Sequence, residues 1–202
     1  MYLPGRWEQT YREEQLGTGK TDENWSYAVA KLAGIELCRA YHKQYGCNFM
    51  TAIPCNMYGP NDNFGDNGHV IPMLIRKFAT EKDVHVWGDG MAKREFLYSD
   101  DFAECAVMLM EKCNYEDLYD GVINVGSERE VKIWQLCEII DNFVRSSSRG
   151  SYYFKGEDDK PSGVPSKLMD SSRIRKFGWK PRTSLGRGIK QTYEWYKNST
   201  SN

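Results

Sequence analysis

Residues 24–60 read NWSYAVAKLAGIELCRAYHKQYGCNFMTAIPCNMYGP. Ala28, Leu32, Ile35 and Cys38 recur at three- and four-residue steps, and Gly46 stands where a helix stops, so the spacing predicts a helix from Asn24 to Tyr45. Cys47-Asn48-Phe49-Met50-Thr51-Ala52-Ile53 is short, apolar-rich and closed by Pro54, the pattern of a buried strand. A helix feeding a buried strand is one step of an α/β layer. Beyond it, residues 54–68 (PCNMYGPNDNFGDNG) are dense in Pro, Gly and Asn and read as a loop.

The same alternation continues outward. A helix is expected over 69–81, a strand at Val84–Trp87, a Gly88-Asp89-Gly90 turn and an extended segment at Arg94–Tyr98. Ser99 is a suitable N-cap, and Asp100 and Asp101 favour the dipole of a helix running to about Cys113. Val122-Ile123-Asn124-Val125, followed by Gly126, reads as another buried strand. Ile133, Leu136, Ile140 and Phe143 make a helical stripe. Residues 145–150 (RSSSRG) read as a surface connection, and Ser184 as the cap of a final helix with Leu185, Ile189, Tyr193 and Tyr196 on one face. Residues 1–23 are polar and read as a loop. The pattern predicts an α/β protein without internal repeats whose alternation opens on a helix, as in the middle of a fold.

At 202 residues there is room for one large domain or two small ones. A chain 40% hydrophobic and 27% charged is ordinary for a folded protein. The net charge of −1, from 27 basic and 28 acidic side chains, leaves no cationic surplus for displacing phosphate counterions and argues against nucleic-acid binding. No uncharged apolar run approaches the roughly 18 residues a membrane helix needs, and Met1-Tyr2-Leu3-Pro4-Gly5-Arg6-Trp7 lacks the pattern of a signal peptide. A cytoplasmic location is the expectation. The six cysteines (38, 47, 55, 105, 113 and 137) contain no CxxC pair and are expected as reduced, mostly buried thiols. With three histidines (His42, His69, His85) and no paired ligand spacing, no zinc site is expected.

The chemistry concentrates in Tyr27-Ala28-Val29-Ala30-Lys31. A four-residue step on a helix puts the phenol and the ammonium on one face, about 5–6 Å apart at Cβ. Tyrosine has an ordinary pKa of about 10. A neighbouring ammonium stabilises the phenolate, and the pair then exchanges a proton with a carbonyl or hydroxyl. The plain alternative is an amphipathic helix that happens to carry both residues.

Further along stand Pro54-Cys55-Asn56-Met57-Tyr58-Gly59-Pro60, Gly68-His69-Val70-Ile71-Pro72, Val86-Trp87-Gly88-Asp89-Gly90, Arg94-Glu95-Phe96, Ser99-Asp100-Asp101, Asn124-Val125-Gly126 and Phe177-Gly178-Trp179-Lys180-Pro181. In this order, from about Trp25 to Lys197, they resemble the extended short-chain dehydrogenase/reductase superfamily, and within it the GDP-L-fucose synthase family. That resemblance implies NADPH-dependent 3,5-epimerisation and 4-reduction of GDP-4-keto-6-deoxymannose. Tyr27 would protonate the C4 oxygen, with Lys31 tuning it and holding the nicotinamide ribose. Pro54, Cys55, Asn56 and Met57 match the stretch along the nicotinamide of NADP, and Asn56 also matches a substrate contact. His69 matches the acid/base histidine of epimerisation and a substrate contact. Lys77, Trp87, Arg94 and Lys167 match GDP-sugar contacts, where cations suit a diphosphate and Trp offers a wall. Each of these four also has a plain reading as a surface cation or a core aromatic. Position 77 is Lys where the family usually has Arg, and Ser162 stands where it often has Asp.

The resemblance breaks at the N-terminal end. A dinucleotide site needs a Gly-rich turn between a strand and a helix, and these residues contain none. Gly17-Thr18-Gly19-Lys20-Thr21 imitates a phosphate loop, but Glu14 stands where its first Gly should be and no apolar strand precedes it. Alignment on Pro4 places Met1 at or beside the family's catalytic cysteine. The expectation is therefore the C-terminal part of an extended short-chain dehydrogenase/reductase: an incomplete Rossmann-like parallel sheet plus a small α/β substrate-binding domain. Residues 1–60 would be the remnant of the dinucleotide-binding domain and 61–202 mainly the substrate domain, with about 99–126 returning to the sheet. Such a chain is expected to self-associate or to require the missing half as a partner, and to turn over weakly alone. Two other functional readings stay open: a non-catalytic GDP-sugar-binding module, or another NAD(P)-dependent nucleotide-sugar epimerase or dehydratase.

Overall fold

The computed structural model describes residues 10–17, 25–145, 151–155 and 165–200. The readings of Met1–Trp7, of the Thr18–Thr21 loop, of residues 146–150 and of Ser162 lie outside the described residues. The expected helices and strands recur with small shifts. Helix α1 (Trp25–Tyr45) ends at Gly46, whose φ of +67° is the left-handed conformation glycine adopts at a helix C-terminus. Strand β1 is confined to Thr51–Pro54 rather than beginning at Cys47. It is followed by β2 (Asn56–Tyr58), which lies inside the stretch read as a loop. A run so short and so rich in Pro and Gly carries no period of its own, and neighbouring strands extend it.

Then come α2 (Val70–Thr80), β3 (Asp83–Trp87), β4 (Lys93–Tyr98), α3 (Ser99–Lys112) and β5 (Val122–Val125). They are followed by β6 (Glu130–Lys132), α4 (Ile133–Val144), β7 (Ser151–Lys155), α5 (Ser172–Lys176) and α6 (Leu185–Thr200). The cap of α3 is Tyr98 rather than Ser99, and no side chain caps it. Ser184 meets its expected role, accepting the Arg187 N–H at 3.4 Å through its hydroxyl and the Gly188 N–H at 2.9 Å through its carbonyl.

Strands β1 and β5 pair in parallel, as do β2 and β4, and β3 and β7, while β4 and β6 pair antiparallel. Parallel pairing requires a crossover, and the long excursion between β1 and β5 supplies it. Strand β4 serves two cores, because successive side chains of a strand point to opposite faces. Phe96 and Tyr98 join the apolar core under α2, α4 and α6, with Leu74, Ile75, Leu136, Ile140 and Ile189. Leu97 joins the core formed by α3, β5 and α5, with Cys105, Leu109, Ile123, Val125, Ile174 and Trp179. A third cluster groups Ile35 of α1 and Ile53 of β1 with Tyr11, Val122 and Met169.

The N-terminal segment is more ordered than a loop. Tyr11 and Glu13 are buried, and Glu13–Gln15 form a 3-10 turn. Their burial serves Asn124 in the middle of β5, a polar residue without solvent access. Its backbone N–H donates to Glu13 Oε1 at 3.0 Å, and its amide donates to the Tyr11 carbonyl at 3.0 Å and the Asp170 carbonyl at 3.1 Å. A buried amide must be satisfied in this way. Arg145, read as the start of a surface connection, is also buried and donates to the carbonyls of Phe78 and Glu81. All six cysteines are free thiols, three of them buried and three half-buried.

Candidate active site

The expected pair on α1 shares one face. Lys31 Nζ lies 5.5 Å from the centroid of the Tyr27 ring, and Tyr27 is 62% exposed. The chain turns back through residues 46–50 before β1, so the first turns of α1 lie toward the C-terminal end of that strand. From Ile35 back to Tyr27 the helix rises about 12 Å. From Ile53 forward to Asn56 the strand covers about 10 Å. Ile35 shares a buried cluster with Ile53 of β1, and Tyr27 stands about two helical turns before it on α1.

Residues 54–57 run out of the carboxyl end of the parallel β1–β5 pair, the end at which open α/β sheets take their ligands. Pro54 closes the register opposite Val125, and the Cys55 N–H donates to the Val125 carbonyl at 3.1 Å. Burial, reinforced by the Glu95 carboxylate, pushes the Cys55 thiol far above its ordinary pKa, so it stays protonated and serves as packing. Asn56 donates one amide N–H to the Glu95 carbonyl at 2.8 Å, which fixes its side chain against β4 and keeps Oδ1 as an acceptor. Met57 is exposed. A half-buried strand end with an exposed thioether suits the flat ring of a nicotinamide. Pro54, Cys55, Asn56, Met57 and Lys31 are the residues that would hold it.

Cys55, Arg94 and Lys167 share one electrostatic neighbourhood. Although Lys167 keeps solvent exposure overall, loss of hydration around its ammonium lowers its pKa. Repulsion from Arg94 adds to this, and Cys55 opposes it. Arg94, on β4, is lowered by burial and supported by Glu130 and Tyr11. Two cations crowded together repel, and a ligand bearing two negative charges relieves that repulsion.

The other expected residues form two further groups. His69 precedes α2 and is exposed, with Nδ1 3.4 Å from Asp62 Oδ1. A carboxylate at one ring nitrogen orients the imidazole and leaves Nε2 available for proton exchange. Lys77 donates to the His85 carbonyl at 3.1 Å, and its Nζ lies 5.8 Å from the Trp87 ring centroid. Trp87 is exposed, a wall rather than a core aromatic.

Sequence reading passed over Tyr11, Glu95 and Glu130. Glu95 is 0% exposed and accepts the N–H groups of Glu128 at 2.6 Å and Met169 at 3.0 Å. Burial raises its pKa against those hydrogen bonds. An acid inside the apolar run Phe96-Leu97-Tyr98 was the available signal. Around Tyr11 no periodicity marks burial. Among the described residues no cluster of His, Cys, Asp or Glu could hold a metal, and no helix is long and apolar enough to cross a membrane.

Known proteins resemble this arrangement along nearly the whole chain. Probable GDP-L-fucose synthase 1 of Oryza sativa subsp. japonica is 44% identical over 197 residues, 93% of this chain and 57% of that protein. GDP-L-fucose synthase of Escherichia coli (strain K12) is 38% identical over 200 residues, 93% of this chain and 61% of that protein. The chain thus spans a little over half the length of these curated relatives. Among solved structures, a GDP-6-OMe-4-keto-L-xylo-heptose reductase from C. jejuni superposes with a TM-score of 0.85 at 30% identity, covering 95% of this chain and 66% of its own. The GDP-mannoheptose C4 reductase MlghC from Campylobacter jejuni, solved with NADP bound, gives 0.79 at 31% identity, covering 93% and 64%. The expected α/β architecture, with its parallel strand pairs, is the one these structures share. The sequence profile of the NAD dependent epimerase/dehydratase family matches residues 3–126, more than half of the chain, and with the parallel-sheet fold this places the protein in that family.

Proposed function

We propose that this chain carries the substrate-binding and proton-transfer side of a GDP-sugar epimerase/reductase of the GDP-L-fucose synthase type, working with NADP. One observation carries the reading: the Tyr27 phenol and Lys31 ammonium stand together on one face of α1, open to solvent. Tyr27 donates its proton to the C4 oxygen of a 4-keto sugar, and Lys31 stabilises the phenolate left behind. His69, oriented by Asp62, exchanges protons at the sugar carbons during epimerisation. Arg94 and Lys167 neutralise the diphosphate, and Lys77 with Trp87 borders the ligand at the edge of β3. When bound, the nicotinamide cofactor supplies the hydride for C4 reduction. In this reading residues 1–60 belong to the dinucleotide-binding domain and 61–202 mainly to the substrate domain, with 99–126 returning to the sheet. The working protein is an oligomer in the cytoplasm.

A second reading, GDP-sugar binding without catalysis, is favoured by one fact. Arg94 and Lys167 share one electrostatic neighbourhood, and binding a diphosphate there needs no proton transfer. NADPH consumption with GDP-4-keto-6-deoxymannose separates the two, measured with the chain alone and with the N-terminal half of a GDP-L-fucose synthase added. Turnover in the complemented sample supports the enzyme. Binding of GDP-sugar without turnover in either sample supports the binding module.

A further inference from the structure

Residues 165–170 lie as a strap across the start of β4 and are pinned at every step. The Lys93 N–H donates to the Pro165 carbonyl at 2.8 Å, which sets the strap beside Arg94. The Ser166 hydroxyl reaches both oxygens of Glu130, at 2.7 and 2.8 Å, and the Lys167 N–H donates to Glu130 Oε1 at 2.7 Å. Next, the Tyr11 N–H donates to the Leu168 carbonyl at 2.8 Å, the Met169 N–H to Glu95 Oε2 at 3.0 Å, and the Asp170 N–H to the Tyr11 carbonyl at 2.8 Å. Glu95 and Glu130 are register partners on β4 and β6, so two carboxylates side by side receive the strap.

The Glu130 carboxylate disfavours the charged form of its neighbour Glu95, adding to burial. Packing alone would be served better by apolar residues there. The donors they receive and the cations beside them explain their presence. We propose that Glu130 is a positioning residue: by accepting the Ser166 hydroxyl and the Lys167 N–H, it holds the Lys167 segment against the start of β4, beside Arg94, so that one diphosphate can meet both cations. This rests on the reading of Arg94 and Lys167 as ligand cations, but the strap can be tested without any ligand. Glu130 itself touches no substrate. It acts through the backbone of its neighbour, as a supporting residue does for a binding side chain.

The test is amide hydrogen exchange combined with a GDP titration on the 202-residue chain, comparing Glu130→Ala, Glu130→Gln and the milder Ser166→Ala. A lost hydrogen bond to a charged group corresponds to a factor of about ten or more. Glu130→Ala is expected to speed exchange of the Lys167 amide by at least about tenfold, while Ile123 in β5 keeps its protection. It should also weaken GDP binding by about tenfold. Glu130→Gln, which keeps an acceptor, should retain both protection and affinity, and Ser166→Ala should fall between. A uniform rise in exchange that includes Ile123 would reduce Glu130 to a stability role and overturn the proposal. So would unchanged exchange at Lys167, or a Gln variant that behaves like the Ala variant. If Ser166→Ala and Glu130→Ala loosen the strap as expected but the wild-type chain binds no GDP, the positioning of Lys167 stands and the assignment of the cations to a diphosphate fails.

Discussion

The ammonium of Lys31 stands 5.5 Å from the centre of the Tyr27 ring, one helical turn further along α1. A cation over the face of a phenol is attracted to the neutral ring and more strongly to the phenolate. The proposed function assigns proton donation to this exposed pair. This relationship and the crowded cations near β4 lead to outcomes that can be measured.

Arg94→Ala and Lys167→Ala should each lower GDP affinity by about tenfold to a hundredfold, since each removes a charge-assisted contact. Arg94→Lys should restore little of the loss, because an ammonium lacks the fork that engages two oxygens. Calorimetric titration at two salt concentrations checks this, with wild-type affinity falling more steeply with salt than that of either variant.

Two glycines in helices should respond to alanine with opposite signs. At Gly188 of α6 an added Cβ would run into the Tyr58 hydroxyl and ring, whereas at Gly34 of α1 it meets nothing within 4 Å. Alanine is favoured over glycine in a helix by about 1 kcal/mol. Overpacking a filled core costs about 1–3 kcal/mol. Thermal unfolding should show Gly34→Ala stabilised and Gly188→Ala destabilised.

Asp170 gives stability an acid limb. Its carboxylate accepts the Ser172 N–H at 2.9 Å and pairs with Arg12 at 3.2 Å. The hydrogen bonds from Ser172, followed by Arg12 and Arg173, hold its pKa below the ordinary value, against burial. A carboxyl with a lower pKa folded than unfolded stabilises the fold fully above the unfolded value of about 3.9 and loses that contribution as pH falls through the folded value. The difference in urea midpoint between wild type and Asp170→Asn should be clear at neutral pH and shrink in strong acid.

The outer flank of α1 should drive association. Tyr41 lies 5.4 Å from Tyr45 and 6.0 Å from Phe49, ring centre to ring centre, and all three are exposed. Beside them β1 pairs only with β5 among the described residues, which leaves its other edge open. Light scattering after size exclusion at micromolar concentration should find oligomers that Tyr45→Lys and Phe49→Lys disperse. A wild-type monomer would contradict this.

Much of the fold was legible because it rests on period and punctuation. The apolar steps of α1, α2, α4 and α6 and the buried run of β5 stand in the sequence as they stand in the structure. Strand β2 and the strap at 165–170 were not legible, because partners distant in sequence create them: Phe96 and Leu97 for one, Tyr11, Glu95 and Glu130 for the other. At the candidate site, the Tyr27–Lys31 pair followed from helical geometry alone. That Cys55 is locked as a thiol and that Asn56 spends its amide on β4 required coordinates, since both depend on where Glu95 comes to rest.

The reduction rate of Tyr27→Phe tests the central claim most directly, measured as NADPH oxidation with GDP-4-keto-6-deoxymannose in the complemented enzyme, with GDP affinity determined in parallel. Loss of a positioned proton donor predicts a fall of about a hundredfold to ten-thousandfold in turnover with GDP affinity unchanged. A Tyr27→Phe enzyme that turned over within about twofold of wild type would contradict the assignment of proton transfer to this phenol.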